Sequence, residues 1–439
     1  MHIVVIGAGI IGTTSAWYLA ERGHQVTVIE RQSDAALETS FGNAGQISVS
    51  HCEPWANRQA PLKALRWMFS KEAPLLFRPQ WPLGAGWHQY RWALQFLAQC
   101  NDADFHRNVG HIVALGQYSH SAFKALVAET GIAYHRLERG IAHIFSDQAS
   151  MDSAAALAQL MQQFGVQREV IETAQLLRLE PSLAGYGQRI VGATFTASDE
   201  TGDARVFTQA LARACAARGV EFLFGQSVQA LVHQGGQVQG LQYAPVHSAG
   251  AQTPTPAATL LRADAVVLAG GSFTAPLLRT VGLDLPIYPG KGYSATFPIL
   301  RPEAAPSVSL IDDAKKIAVT RMGAHIRVAG TIEVGNFDVG LDNAVAQARC
   351  RMLARRVEAI WPGMCDTRLP EEGGNPQFWA GLRPATPTNI PYIGQTPLRG
   401  LWVNAGHGTL GWTHGAGSGK ALAACVDGER PIADFPFLA

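Results

Sequence analysis

Arg383 and two glycine loops carry the chemistry that can be read in this chain. Residues 379–394 read WAGLRPATPTNIPYIG, and residues 401–420 read LWVNAGHGTLGWTHGAGSGK. The first segment sets Arg383 between Leu382 and Pro384, in what reads as a rigid Gly-Leu-Arg-Pro turn. A guanidinium stays charged and grips a carboxylate through two parallel hydrogen bonds. Arg383 is therefore the expected substrate anchor, with a structural salt bridge as its other use. The second segment holds Gly406, Gly408, Thr409, Leu410 and Gly411, a loop that opens a helix. Its N–H groups and positive helix end suit an electron-rich group. His407, between two glycines, reads as backbone or packing rather than as an acid or base. Gly417-Ser418-Gly419-Lys420 resembles a phosphate loop only briefly. Position 421 is alanine and position 414 is not glycine, so close helix packing is expected there.

The other glycine loop opens the chain. Gly7-Ala8-Gly9-Ile10-Ile11-Gly12 matches G-x-G-x-x-G. Gly7 permits the tight turn, Gly9 lets the backbone approach a pyrophosphate, and Gly12 lets helix and strand pack closely. Glu30 falls where such units place an acid, about 20 residues further on. Its carboxylate can accept both ribose hydroxyls and would repel a 2′-phosphate, which disfavours NADP. Arg31 beside it and Val228 are counted with the cofactor contacts.

The glycine motif alone leaves FAD and NAD open. Ser40, Asn43, Ala44, Gly45 and Gln46 form a small polar run soon after Glu30, suited to a second phosphate or a flavin. Ala269 and Gly270 end a further buried strand that approaches the cofactor again. The loop at 406–411 supplies a helix N-terminus where a reduced flavin carries negative charge. These segments favour FAD.

The elements that must position these residues follow from spacing. Ile3–Ile6 is expected as a strand, Ile10–Arg22 as a helix ended by Gly23, and Val26–Ile29 as a second strand, which makes a βαβ unit. A second α/β block runs over 193–280, with a helix at Phe207–Arg218 and strands at Val220–Phe224 and Ala265–Ala269. The Pro-, Ala- and Thr-rich stretch 244–259 reads as a surface loop. The predicted class is α/β (α+β), a Rossmann-like nucleotide-binding domain plus a substrate domain with a large mixed sheet. The predicted division gives 1–65, 193–287 and 363–439 to the nucleotide-binding domain, and 66–192 and 288–362 to the substrate domain.

Composition bounds the function. A chain of 439 residues with 47% hydrophobic and 16% charged residues is ordinary for a globular enzyme. A net charge of +1 with no basic block argues against nucleic acid as a partner. The six cysteines form no C-x-x-C, and His106, His111 and His120 lack ligand spacing, so no metal site or disulfide framework is expected. The start of the chain lacks a signal-peptide pattern, and no apolar run is long enough to span a bilayer. A cytoplasmic location is expected.

Five of the ten tryptophans (Trp55, Trp67, Trp81, Trp87 and Trp92) fall in one short stretch. Packing within the second domain or over a substrate pocket is one reading. Peripheral contact with a membrane or a partner subunit is the other, because tryptophan favours interfaces.

Taken together, the segments resemble the D-amino acid oxidase superfamily of flavoproteins, and within it the bacterial D-amino acid dehydrogenases. The resemblance spans nearly the whole chain. Its most specific pieces are Leu37–Ile47, Asp199–Asp203, Pro289–Thr296, Phe378–Pro387 and Gly406–Thr413. It implies non-covalent FAD and oxidation of D-amino acids to 2-oxo acids and ammonia, with hydride passing from Cα to flavin N5. It further implies electrons passed to a quinone or other non-oxygen acceptor. It places the substrate carboxylate on Arg383 and puts Tyr293 in a region lining the site. If the substrate binds with a neutral amine, no strong protein base is needed. Two departures bear on substrate preference: Thr388-Asn389 replaces Asp-Gly, and His51-Cys52-Glu53 replaces small residues and a tyrosine. Rival readings are a sister enzyme oxidising a cyclic imino acid such as hydroxy-D-proline, sarcosine or glycine, with oxygen as a possible acceptor; a non-catalytic flavin-binding subunit; and an NAD-dependent dehydrogenase.

Overall fold

A computed structural model describes residues 1–67, 74–80, 83–246 and 257–438. Strand His2–Ile6 is apolar and buried because it lies inside a six-stranded sheet. It pairs in parallel with Gln25–Glu30 on one side and Ala265–Leu268 on the other. Glu221–Phe224 and Leu401–Ala405 extend the parallel sheet, and Tyr392–Gln395 closes it as an antiparallel edge. Helix Ile10–Glu21 crosses between the first two strands, as the βαβ spacing predicts. It stops where Gly23 takes a φ of 82°.

Helix Gly411–Val426 runs beside it, and small residues set the distance. A Cβ on Gly419 would stand 2.7 Å from the Thr14 backbone, and one on Gly417 would stand 2.5 Å from Ser119 Cα. The phosphate-loop lookalike is thus a three-helix packing seam. Thr14 Oγ1 donates to the Gly415 carbonyl at 2.8 Å, and the Gly417 N–H donates to Ser119 Oγ at 3.0 Å.

The second sheet is mixed. Its order runs from Gln377–Ala385 through Tyr288–Pro298, His325–Val334, Ile317–Met322, Ser309–Asp312, Ile141–Phe145 and Gly192–Thr196 to Glu169–Ile171. Helix Ala344–Ile360 covers one face, burying Leu353, Val357 and Ile360 with Ile317, Ile326 and Val328 of the sheet. A three-stranded antiparallel sheet, Gln226–Gln234, Gln237–Pro245 and Thr259–Arg262, packs on the nucleotide side.

The pairing corrects the expected division of the chain in three places. Strands Gly192–Thr196 and Gln377–Ala385, assigned by sequence to the nucleotide-binding part, belong to the mixed sheet. The long helix Asp102–Thr130, assigned to the substrate part, buries Ile112, Leu115 and Phe123 with Leu19, Phe207 and Trp412 in the nucleotide-side core. Sequence blocks follow the chain, whereas strands and helices choose partners by which apolar face they can cover. Most of the 244–259 loop, residues 247–256, lies outside the described residues, as does Trp81.

Candidate active site

The turn after the first strand is built from backbone contacts. Gly7 has a φ of 102°, and a Cβ there would stand 2.8 Å from the Ala269 carbonyl oxygen. A Cβ on Gly12 would overlap the Gly7 carbonyl. Gly9 is different: its added Cβ would meet only Ser40 Oγ, at 3.3 Å. Ser40 Oγ accepts the Ile10 N–H at 3.1 Å, so the 40–46 loop already lies against the helix N-terminus. Glu30 is buried, and its carboxylate accepts N–H groups from Ala8 at 2.7 Å and Gln32 at 2.8 Å. Burial pushes its pKa up against those hydrogen bonds. The acid therefore closes the glycine turn as well as facing the cavity beside it. Arg31 pairs with Glu38 and lies 3.8 Å over the Phe273 ring.

These parts border one cavity of about 1840 Å³. Ordinary ligand pockets hold about 300–1,000 Å³, so this one has room for a dinucleotide and a second molecule. Gly7, Gly9, Ile10, Ile11, Glu30, Arg31, Ser40, Asn43, Ala44, Gly45, Gln46, Val228, Ala269 and Gly270 line it, and so do Gly408, Thr409, Leu410, Gly411, Tyr293 and Arg383. Gly12 and Gly406 do not. Gly12 serves the helix–strand contact, and Gly406 turns the chain at a φ of 93° where a Cβ would stand 2.6 Å from Thr386 Cγ2.

The Arg383 segment is a strand rather than a turn. Gln377–Ala385 pairs with Tyr288–Pro298, with Arg383 opposite Gly290. Pro384 is tolerated because this is the edge of the sheet, where a missing N–H breaks no ladder. The edge is covered by other donors. Thr39 Oγ1 donates to the Leu382 carbonyl at 2.8 Å, the Gly408 N–H to Pro384 at 2.9 Å, and Trp92 Nε1 to Ala385 at 2.9 Å.

Arg383 Nη1 donates to the Thr331 carbonyl at 2.6 Å. The register slips between Lys291 and Tyr293 where they pair with His325–Val334, and Thr331 takes a φ of 55° there. A β-branched residue is strained in that region, and here the strained backbone aims its carbonyl at the guanidinium. A Cβ on Gly292 would strike the guanidinium, so glycine leaves its space clear. Burial alone acts on the charge and lowers the pKa to about 10; no carboxylate among the described residues pairs with it. A buried cation held by a carbonyl and facing a cavity is one anionic ligand short of neutrality.

Tyr293 is placed otherwise. It contributes to the cavity wall, but its ring is buried in the core under helix Ala344–Ile360. Its hydroxyl donates to Glu333 at 3.0 Å. It pairs with Ala380 while Arg383 pairs with Gly290, so alternation along the strand sets Tyr293 on the face opposite Arg383.

Polar groups without partners mark where a ligand belongs. Asn404 Oδ1 and both ring nitrogens of His407 are buried and unpaired, and both residues line the cavity. Burial holds the His407 pKa well below the ordinary value, so the ring is neutral at neutral pH. With the helix N-termini at Ile10 and Gly411 bordering the cavity, the cradle fits an FAD.

Sequence reasoning missed a polar wall of the same cavity. His51, Glu53, His143 and Arg168 all border it. His143 and Arg168 come from distant parts of the chain with no local motif, and only the tertiary fold brings them to His51-Cys52-Glu53.

Among known proteins, the family model described as FAD dependent oxidoreductase matches residues 2–425. A protein called D-amino acid dehydrogenase from Dechloromonas aromatica is 44% identical over 438 residues and covers 100% of both chains. Another of that name from Methylobacterium radiotolerans is 42% identical, covering 98% of this chain and 97% of its own. Among solved structures, glycine oxidase from Bacillus cereus superposes with a TM-score of 0.70 at 22% identity, covering 98% of each chain. L-proline dehydrogenase from P. horikoshii gives 0.69 at 18% identity, covering 99% and 95%. Those two structures share the fold.

Proposed function

The chain belongs to the FAD-dependent oxidoreductase family, and from that premise we propose that it oxidises D-amino acids to 2-oxo acids and ammonia. The observation that carries the reading is Arg383, a buried guanidinium on the cavity wall with no carboxylate partner among the described residues. The full-length similarity to proteins called D-amino acid dehydrogenases supports the substrate class.

FAD is held without a covalent bond in this reading. Gly7, Gly9, Ile10, Ile11, Glu30 and Ser40 would hold its dinucleotide part, and Gly408 to Gly411 its flavin end. When bound, the flavin supplies the two-electron acceptor for the substrate Cα–H. The chain contributes alignment. Arg383 fixes the carboxylate by its fork, Thr331 fixes Arg383, and Leu382 is held by Thr39. The helix end at Gly411 offers a positive field to developing negative charge. Burial keeps the His407 ring neutral. A substrate entering with a neutral amine then needs no protein base.

The protein is expected to be yellow when purified, and denaturation should release free FAD. Anaerobic D-amino acids should bleach the bound flavin and L-amino acids should not. Bleaching by L-amino acids, or only by sarcosine, glycine or a cyclic imino acid, would replace this reading. Flavin that stays on the denatured chain would overturn the non-covalent assignment.

For the acceptor we infer a quinone reached at a membrane surface. No helix among the described residues is long and apolar enough to cross a membrane. The helix Leu83–Ala98 supports a peripheral contact: Trp87, Leu94 and Leu97 are 55%, 63% and 51% exposed and fall on one side of it. Leu62, on helix Ala60–Trp67, is 56% exposed. Trp92, on the inner side, is buried, so on this helix one tryptophan packs and the other faces outward. Lys63, Ala64, Phe96 and Leu97 reach the cavity wall, which joins this face to the site. The protein should co-sediment with anionic vesicles, and changing Trp87 and Leu94 to serine should weaken this while activity with a soluble dye survives. Failure of the wild-type protein to bind vesicles, with oxygen reoxidising the flavin as fast as a quinone, would make it a soluble oxidase.

A further inference from the structure

The polar wall of His51, Glu53, His143 and Arg168 has no part in the mechanism above. Arg168 is 3% exposed, and each of its three nitrogens is engaged. Nε donates to Thr194 Oγ1 at 3.1 Å. Nη1 donates to the Ser50 carbonyl and to Glu53 Oε1, each at 3.4 Å, and Nη2 faces His143 Nδ1 at 3.5 Å. His51 Nδ1 lies 3.3 Å from the same Glu53 oxygen. Glu53 is therefore gripped by Oε1 alone. No described residue donates to Oε2, the side chain keeps 21% of its exposure, and the residue borders the cavity. Burial opposes charge on this carboxyl, but contact with His51 and the charges of Arg168 and Lys316 outweigh it and hold the pKa at about 2.

The segment carrying Glu53 is tied to both halves of the site. The Ser48 N–H donates to Thr413 Oγ1 at 3.1 Å, and Cys52 Sγ lies 3.6 Å from His414 Nε2. Both contacts are in the opening turns of helix Gly411–Val426. On the other side, the Trp55 N–H donates to Asn389 Oδ1 at 2.9 Å. Asn389 sits at a φ of 61° in the loop that follows the Arg383 strand. The two departures noticed in the sequence, at 51–53 and at 388–389, thus meet: Asn389 anchors the backbone that presents Glu53. The segment that carries Glu53 is thus held between the opening of helix Gly411–Val426 and the loop after the Arg383 strand, and Glu53 borders the same cavity as Arg383.

We propose that Glu53 binds the side chain of the substrate, and that the preferred D-amino acids carry a cationic side chain, an ammonium or a guanidinium. This rests on the D-amino acid reading and names its substrate class. Arg383 takes the α-carboxylate. Arg168 is tied into the scaffold by Thr194 and Ser50, and its charge already faces Glu53. An anionic side chain would meet the Glu53 charge with repulsion, and an apolar one would cover its free oxygen with nothing to pair it. A cationic one supplies the missing donor. His51, Arg168 and Asn389 are positioning residues.

The test compares kcat/KM with a dye acceptor for D-lysine, D-arginine, D-norleucine and D-glutamate. D-norleucine has the length of lysine without its charge. The wild-type enzyme is expected to prefer D-lysine and D-arginine to D-norleucine by about tenfold or more, as a hydrogen bond to a charged group allows. Glu53→Gln should bring that ratio close to one, chiefly by lowering kcat/KM for D-lysine and D-arginine, and the flavin content of the purified variant, unchanged from wild type, shows that it folds. A wild-type enzyme that prefers D-norleucine or D-glutamate, or a Glu53→Gln variant that keeps the cationic preference, overturns the proposal. If no D-amino acid is oxidised, D-norleucine included, the D-amino acid reading itself falls and this proposal falls with it.

Discussion

Arg383→Lys is expected to keep bound FAD and lose at least about tenfold in kcat/KM. Lysine retains a positive charge but not the planar fork, and each charge-assisted hydrogen bond lost is worth about 1.5–3 kcal/mol. Burial sharpens the prediction. The site lowers the arginine to about 10 through burial alone. A lysine starts near 10.4 and is pushed the same way in the same place. A lowered cation is charged below its pKa and neutral above it. The variant should therefore hold a carboxylate best at low pH and lose its grip as pH rises, while the wild-type grip stays flat across neutral pH. Inhibition by a non-reacting carboxylate such as acetate, followed against pH, separates this from ionisation of the substrate amine. Wild-type activity in the variant, or a flat inhibition profile, would remove Arg383 from the substrate site.

How much of this was legible depended on whether a feature is local. The glycine turn, the crossover helix and Glu30 were readable because each is fixed by contacts within one βαβ unit. The Gly417–Lys420 segment was correctly read as packing, because a phosphate loop needs residues that are absent there. Arg383 was found by residue type but set in the wrong element. Proline beside it suggested a turn, and only the sheet order shows an edge where proline costs no hydrogen bond. Tyr293 was placed in a region lining the site and does contribute to the cavity wall, but strand alternation sets its side chain on the face opposite Arg383 and Glu333 takes its hydroxyl. His143 and Arg168 left no signal at all. A buried arginine is unremarkable in a sequence until the fold shows which oxygen it holds. Glu53 was visible only as an unusual residue, and its role follows from which of its oxygens is left free.

Gly9 and Gly12 belong to the same motif, yet their alanine variants are expected to fail in different ways. In Gly12→Ala the new Cβ would overlap the Gly7 carbonyl, which is backbone and cannot swing aside. Helix Ile10–Glu21 would have to move from the sheet, at a cost of about 1–3 kcal/mol or more by overpacking. The cofactor-free protein should unfold at a lower denaturant concentration. In Gly9→Ala the new Cβ would meet only Ser40 Oγ at 3.3 Å, a side chain that can rotate. The cofactor-free protein should unfold almost as the wild type does. Its defect should appear in FAD affinity, because the methyl group occupies the space where backbone N–H groups would meet the pyrophosphate. Each hydrogen bond to a charged phosphate that is lost should weaken binding by at least about tenfold. Unfolding of both apo-proteins and FAD titration of each, measured side by side, decide the matter. Equal destabilisation of the two apo-proteins would mean that Gly9 also serves packing. Unchanged FAD affinity in Gly9→Ala would mean that the pyrophosphate does not lie on this turn.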